Sequence, residues 1–418
     1  MAISSVARTP RNQLPSEDDL PTAVGVVPDF GVAHFDLADV SSGGVCYSTK
    51  YGFRRFQSGG DLLNDIWITN LDMVPRQLPC LRSNKFLQTK LSTLAEDLGV
   101  ELTGYKQIDG IDKGGMVDVA RALTHTRDLV AAAYTWKAPD REWAKPRLGD
   151  CIVEVLPGLE RAAPQLEVPL QGAYQSWSSP QLQQRQTYDR GSRMLYLRRN
   201  RLQHALDILR TPVPTSGWGK ADTRLDVLLD PSLPSLIEVS IEWRNADAET
   251  VSLIAFGADA GDTKIRRWVS QIELMWLLKY ARVTVLSAYH SNVAAPLPQQ
   301  LQLPNVIAGD PIYQLSIPHG LVAEAHWTAL ARPVLNRRFR REMTTTAVWY
   351  RAMDRAISFQ MALVAKEMGV NVTGYGSGGV QVRVENLSVP HLIELADAVG
   401  ACHPCLASEV VSRERGDS

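Results

Sequence analysis

The chain has 418 residues, 45% of them hydrophobic and 21% charged, which excludes disorder throughout and leaves room for two or three domains. Lys+Arg 44 against Asp+Glu 45 gives a net charge of −1, which excludes a protein that coats DNA by bulk charge but permits local basic patches. The basic residues divide into 11 lysines and 33 arginines; this skew suits planar, bidentate contacts to phosphate or carboxylate, and a GC-rich coding sequence produces the same skew.

Residues 1–30 are rich in Ser, Pro and Asp, without hydrophobic periodicity, and read as an extended N-terminal arm. The opening "MAISSVARTPRNQLPSEDDLPTAVG" holds no apolar leader, and no stretch of the sequence approaches the roughly 20 apolar residues of a membrane helix. Five scattered cysteines (Cys46, Cys80, Cys151, Cys402, Cys405) then imply a reduced, intracellular chain.

Three further regions follow: 31–215, mixed α and β; 216–315, a β-hairpin and helix; and 316–418, mainly helical. In the first, "GGMVDVARALTHTRDLVAAAYTW" (114–136) places Val117, Ala120, Leu123 and Val130 at helical spacing. "CIVEVLP" and "LEVPL" read as short strands, and Ser179-Pro180 as the start of a helix reaching about Arg210. The proline-rich "TPVPTSGWG" is the predicted break.

In the second region "LIEVSIEW" (236–243) alternates and is expected to return antiparallel through "ETVSLIAFGA" (249–258). "TKIRRWVSQIELMWLLKYA" reads as one amphipathic helix with Ile265, Trp268, Ile272 and Met275 inward, followed by a strand "RVTVLSAY" and a proline-rich loop over 292–314. The last region holds two helices split at Pro333, the second from about Thr344 to Met368, greasy on almost every side and ended by Gly369.

"LAEDLGVELTGY" (94–105) and "VAKEMGVNVTGY" (364–375) nearly repeat one another, each a helix end, a glycine, a short strand and a Gly-Tyr turn, and then a second helix. The pair is read as a duplicated corner or as independent use of the same glycine-capped turn. The fold class is therefore α+β, with mixed helices and short antiparallel strands in a large irregular body.

Motifs that carry chemistry fail on their context. "GYGSGG" (374–379) matches a dinucleotide fingerprint in letters, but "VQVRVE" after it alternates as a strand, so the glycines read as a hairpin turn. "SGWGKAD" (216–222) lacks the upstream glycine and the Ser or Thr of a phosphate loop. "CHPC" (402–405) has no second cysteine pair for zinc and reads as two small buried thiols, while the terminal "RGDS" is short enough to recur by accident. No catalytic, cofactor-binding or metal residues are assigned, and no cofactor.

Four clusters interleave arginine with aromatic or long apolar groups: "YGFRRF" (Arg54, Arg55), "LYLRRNR" (Arg198, Arg199, Arg201), "IRRW" (Arg266, Arg267) and "NRRFRRE" (Arg337, Arg338, Arg340, Arg341). Such residues neutralise phosphates while rings stack on bases, or bind a neighbouring subunit; an amphipathic element with arginine outside gives the same spacing. With the arm, the proline-rich connections and ten tryptophans, they lead to the expectation of a self-assembling structural protein without enzymatic activity. Its concrete form is a capsid or inner-shell subunit of an RNA virus, in the virion or host cytoplasm, contacting copies of itself, other shell proteins and RNA but no membrane. The alternatives are a soluble intracellular enzyme with a site assembled from His319, His326 and Asp354, and a monomeric RNA-binding protein.

Overall fold

The computed structural model describes residues 29–36, 38–62, 66–71, 86–91, 113–133, 135–136, 152–153, 164–175, 192–243, 248–254, 265–296, 302–304, 307, 316–335, 341–385 and 388–401. Residues 1–28 of the N-terminal arm, the first copy of the repeated stretch with Gly99, the CHPC pair, RGDS, and Arg337, Arg338 and Arg340 lie outside them, while Phe30, read as part of the arm, begins the first strand.

The first sheet joins β1 (Phe30–Phe35), β2 (Gly44–Ser48), β3 (Gly52–Phe56), β4 (Ile66–Thr69) and β5 (Phe86–Lys90) in the order β3-β2-β1-β4-β5. β1 to β3 form an antiparallel meander, whereas β1, β4 and β5 run parallel. Alternation sends Phe30 and Val32 to one face and Ala33 and Phe35 to the other. The first face meets α1 (Lys113–Ala133) through Met116, Val119, Ala120 and Leu123. The second closes a small core with Cys46, Phe56, Leu62, Trp67 and Leu71. Gly31 belongs to that second face, and a Cβ there would stand 2.2 Å from the Trp67 ring.

β6 (Thr135–Trp136) pairs with β7 (Ile152–Val153), and α2 (Glu167–Gln175) follows. Next come β8 (Ser192–Arg198), α3 (Arg201–Leu209), β9 (Val213–Lys220), α4 (Leu225–Leu228), β10 (Ser235–Trp243), α5 (Ala248–Ile254), β11 (Ile265–Ser270), α6 (Gln271–Tyr280) and β12 (Ala281–Ala295). Strands β11-β10-β12-β9 make an antiparallel sheet, bulged between Glu238 and Val239. The C-terminal part contributes α7 (Ser316–Leu330), the short pair β13 (Val334–Leu335) and β14 (Arg341–Glu342), α8 (Thr345–Glu367), β15 (Asn371–Gly376), β16 (Gly379–Glu385) and α9 (Val389–Val399). β15-β16-β8 form a third sheet, antiparallel throughout.

α8 ties these parts together. Val348, Trp349 and Tyr350 near its start enter the core beneath the first sheet and α1, while Phe359, Met361, Ala362 and Ala365 enter the core of the other two sheets. A helix serving two cores must be apolar on most sides, as its sequence is. Thr344 accepts the N–H of Ala347 at 3.0 Å to begin it, and Gly369, at φ 76°, ends it. The α+β class holds, with the parallel β1-β4-β5 triplet added to the antiparallel pairs.

Several local expectations are corrected. Of the segment 249–258, residues 249–254 are not a return strand, since Thr250, Leu253 and Ile254 are buried at helical spacing in α5, and β10 pairs instead with β11 and β12; residues 255–258 lie outside the described residues. The single helix expected over 263–281 is, from 265 on, a strand and a helix, because Ser270 caps α6, accepting the N–H of Glu273 at 3.4 Å, while Glu273 answers the Ser270 N–H at 3.0 Å. Met275, placed inward on helical reasoning, is 49% exposed. "LEVPL" is helical, with Leu166, Leu170 and Ala173 buried at i, i+4 and i+7 and Pro169 in the first turn, where its missing N–H costs nothing. Within the helix expected from 180 to 210, residues 192–198 are strand β8, and Asn200 caps a shorter helix by accepting the Gln203 N–H at 3.0 Å. "TPVPTSGWG" is largely edge strand β9, and β12 runs on into the segment read as a loop from 292.

Candidate functional site

The most heavily constrained polar cluster surrounds the Gly376–Gly379 turn between β15 and β16. Gly376, Ser377 and Gly378 all have positive φ (145°, 50° and 71°), a backbone path that needs outside support. Asp354 on α8 supplies it, accepting Ser377 N–H at 3.2 Å and Gly378 N–H at 3.0 Å, while Ser358 one turn later accepts Gly378 N–H at 3.1 Å. The turn's carbonyls are held as well: Tyr196 donates its hydroxyl to Gly376 O at 2.6 Å, and Arg199 N–H reaches Gly378 O at 2.9 Å. Burial drives the Tyr196 hydroxyl up to about 12, so it stays a proton donor.

His204 on α3 completes the clamp, with Nε2 2.9 Å from Asp354 Oδ1. Burial pushes the Asp354 carboxyl up, but the hydrogen bond and charge of His204, the charge of Arg351 and the Ser377 N–H outweigh it and hold the group below its ordinary range. A histidine–carboxylate pair is also the grammar of proton transfer. Here both side chains are sealed from solvent, and the His204 ring lies against Gly378 and edge-on to Trp327, 5.7 Å away. The pair fixes the turn to α3 and α8. His319 and His326 on α7 are also buried, and His319 lies beside the ring of His125 at 5.7 Å. Asp354 thus pairs with a histidine that the sequence did not single out.

The arginine clusters divide between interior and surface. Arg198 Nη2 bonds Glu324 Oε1, and Arg201 Nε meets Glu324 Oε2 at 2.7 Å. Burial raises the Glu324 carboxyl, and the two guanidiniums overcome this and hold it below the usual range. Arg199 pairs with Asp207 at 2.8 Å. Arg266 makes a cross-strand pair with Glu238 at 2.6 Å, Arg267 is half-buried beside it, and Arg341 sits opposite Leu335 in the short β13–β14 ladder.

Arg54 and Arg55 differ, since both are exposed on edge strand β3. The β2–β3 connection begins with a turn in which Tyr51 N–H reaches Ser48 O at 3.3 Å, and Gly52, at φ 66°, lets the chain re-enter the sheet at once. Phe56 roots the strand in the small core. Beyond that root the side chains leave the protein: Tyr51 is 43% and Phe53 37% exposed. Arg54 Cζ lies 4.4 Å and Lys50 Nζ 4.9 Å from the Tyr51 ring centroid. The Phe53 ring leans on Tyr47, 4.6 Å away at 48°. Thr49 joins the turn to α1 through a 3.1 Å contact with Thr124. Two rings and two cations thus lie near one hairpin end, with Arg55 exposed further along β3.

Among the described residues, no group of three His, Cys, Asp or Glu could hold a metal ion, and no helix is long and apolar enough to cross a membrane.

No protein-family model and no curated protein matches the chain. Among solved structures it is similar to phi29 DNA polymerase in an orthorhombic crystal form, at 12% identity and a TM-score of 0.37, over 73% of this chain and 60% of that one. The same polymerase complexed with primer-template DNA and incoming nucleotide substrates gives 12% identity and a TM-score of 0.39, over 74% and 61%. Its complex with single-stranded DNA gives 12% and 0.38, over 73% and 60%. The chain therefore spans about 60% of the length of the structures it matches. A likeness of this depth transfers no activity or substrate to this protein. The expectation of a viral capsid or inner-shell subunit, with its virion and RNA-virus setting, is corrected: these neighbours are a DNA polymerase and not a shell protein. The fold adds a physical reason, because Arg198, Arg201 and Arg266, read as anchors for neighbouring subunits, spend their guanidiniums on carboxylates of their own chain.

Proposed function

We propose that the protein binds single-stranded nucleic acid at the end of the β2–β3 hairpin. The observation that carries this reading is the exposed Tyr51 ring with Lys50 and Arg54 against it, on an edge strand that also exposes Phe53 and Arg55. Exposed rings give bases a stacking surface in any sequence, and cations beside them neutralise phosphates; a duplex keeps its base faces stacked inside. The near-neutral net charge of −1 confines the attraction to the patch.

Fluorescence anisotropy of labelled oligonucleotides tests it. Single strands of RNA or DNA bind and a matched duplex binds at least tenfold more weakly. Affinity falls on a log–log plot against salt with a slope of about −0.7 per phosphate contacted. Replacing Lys50, Arg54 and Arg55 together by Gln flattens that slope. Equal affinity for duplex and single strand, or an unchanged slope in the triple variant, overturns the reading.

A further inference from the structure

We propose that Arg351 on α8, packed against Trp327 of α7, anchors a phosphate group. The inference stands apart from the β2–β3 hairpin and would hold if that surface bound nothing.

Interior arginines in this fold meet carboxylates. Arg198 and Arg201 pair with Glu324, and Arg355, one turn along α8 from Arg351, pairs with Glu273. Such pairing is expected, because a guanidinium taken out of water needs a counter-charge. Arg351 departs from it. It is half-buried, its Nε donates to Ala331 O at 3.4 Å, and its Cζ lies 5.5 Å from the centroid of the Trp327 ring. It forms no ion pair with a carboxylate of the described residues. Asp354 feels its charge, but the aspartate's oxygens are taken by His204 and by the N–H groups of Ser377 and Gly378. A carbonyl and a ring therefore hold the guanidinium in place, with little side-chain freedom left to lose when its NH2 groups meet an anion.

Trp327 supplies the second observation. Its ring is fully buried, and its Nε1–H has no acceptor in the protein. Buried donors are almost always paired, so this one calls for a partner from outside the chain. Cation and indole thus bring donors to one place with no carboxylate between them, which selects an anion. The indole N–H lies in the plane of the ring, whereas the guanidinium lies over its face. A carboxylate keeps both oxygens in one plane and suits the guanidinium fork alone; the tetrahedral oxygens of a phosphate reach donors at both levels. Arg351 is the partly exposed member of the pair, so the anion enters from its side.

Isothermal titration calorimetry of the full chain, at an ionic strength fixed with chloride, compares inorganic phosphate, a nucleoside monophosphate, a short single strand and acetate. Phosphate-bearing ligands bind and acetate does not. Arg351→Gln weakens that binding by about tenfold or more, and Arg351→Lys, which keeps the charge without the fork, recovers only part of it. Trp327→Phe, which keeps a ring beneath the guanidinium and removes the N–H, weakens it by about threefold. Arg121→Gln, on the exposed face of α1, removes an equal charge elsewhere and changes nothing. Circular dichroism establishes that each variant is folded; if Arg351→Gln is not, Trp327→Phe and Arg351→Lys decide. Binding of the free ions through Arg351 assigns the site to small phosphate compounds, and binding of the strand alone through Arg351 assigns it to a nucleic-acid backbone. The proposal is overturned if no phosphate-bearing ligand binds, if the folded Arg351 and Trp327 variants bind as tightly as the unaltered chain, if Arg121→Gln loses as much as Arg351→Gln, or if acetate binds as well as phosphate.

Discussion

His204 and Asp354 stand 150 positions apart in the chain and meet at 2.9 Å, buried on every side, with the aspartate also bonded to the two N–H groups of a turn whose backbone is left-handed. The carboxylate therefore anchors three segments: α3, α8 and the β15–β16 hairpin. Asparagine there keeps one acceptor oxygen for three donors and turns an NH2 toward the others in a dry interior. Asp354→Asn is expected to cost about 3–5 kcal/mol at neutral pH.

The same group gives the protein an acid limit. The Asp354 carboxyl is held below its ordinary value in the folded state, so the unfolded chain takes up its proton first as the medium is acidified. Its contribution is complete above about pH 4 and is lost as pH falls through the lower, folded value. Urea midpoints followed by tryptophan fluorescence from pH 7 to pH 3 should show the unaltered protein and Asp354→Asn converging toward acid. A gap that stays constant over that range would contradict this account.

Two glycines with nearly equal φ should respond very differently to alanine. Gly378 (φ 71°) faces the His204 ring, and a Cβ would lie 2.7 Å from its carbons; Gly369 (φ 76°) has nothing within 4 Å. Both substitutions carry the left-handed penalty of about 1–2 kcal/mol. Gly378→Ala must also displace the imidazole and break its bond to Asp354, so it should be several kcal/mol worse than Gly369→Ala in denaturant titration. Equal losses would mean that the ring yields freely and the clamp is slack.

What the sequence reveals and hides follows from the range of each interaction. The ends of α8 are local chemistry, Thr344 before it and Gly369 after it, and both are readable. The capping pair Ser270 and Glu273 is equally local, three residues apart, and marks the start of α6; the apolar spacing across it suggested one longer helix and masked the signal. The pairing of β10 with β11 and β12 is set by burial of Ile237, Val239 and Ile241 against distant segments, which periodicity alone cannot rank against a nearby return strand. At the candidate site, "YGFRRF" marked the exposed patch because aromatic and basic residues crowd one short strand. His204 escaped notice, since its partner is remote and no spacing rule links an α3 histidine to an α8 aspartate.

Glu324 on α7 is partly exposed and carries two guanidiniums, those of Arg198 at the end of β8 and Arg201 at the start of α3. Glu324→Gln keeps the shape and removes the charge that both arginines share, so it should destabilise the fold by about 3 kcal/mol or more. Arg54→Gln, on the exposed hairpin, should change stability by no more than about 0.5 kcal/mol. The comparison is made with denaturant midpoints at one pH. A loss at Arg54 as large as that at Glu324 would place the hairpin cation in the architecture instead of on the binding surface.

The last prediction concerns a second buried pair, Glu273 and Arg355. Glu273 on α6 is fully buried and accepts Arg355 Nη2 at 2.6 Å while also holding the Ser270 N–H at 3.0 Å. Arg355 on α8 extends the link by donating to Tyr174 O at 2.9 Å and Ala173 O at 3.2 Å, which satisfies carbonyls at the end of α2. Three helices are joined through one fork-shaped cation. Arg355→Lys keeps the charge but loses the fork, and should cost nearly as much as Arg355→Leu, because a lysine cannot reach the carboxylate and both carbonyls in one geometry. Glu273→Leu alone strands the guanidinium in the interior and should cost about 3–5 kcal/mol. The double replacement by leucine removes both buried charges, so it should destabilise far less than the sum of the two single changes, leaving mainly the lost cap on α6 and the open end of α2. Urea unfolding of the four proteins closes the cycle. Strictly additive losses would show that each residue acts through its own backbone contacts and that the ion pair itself contributes nothing.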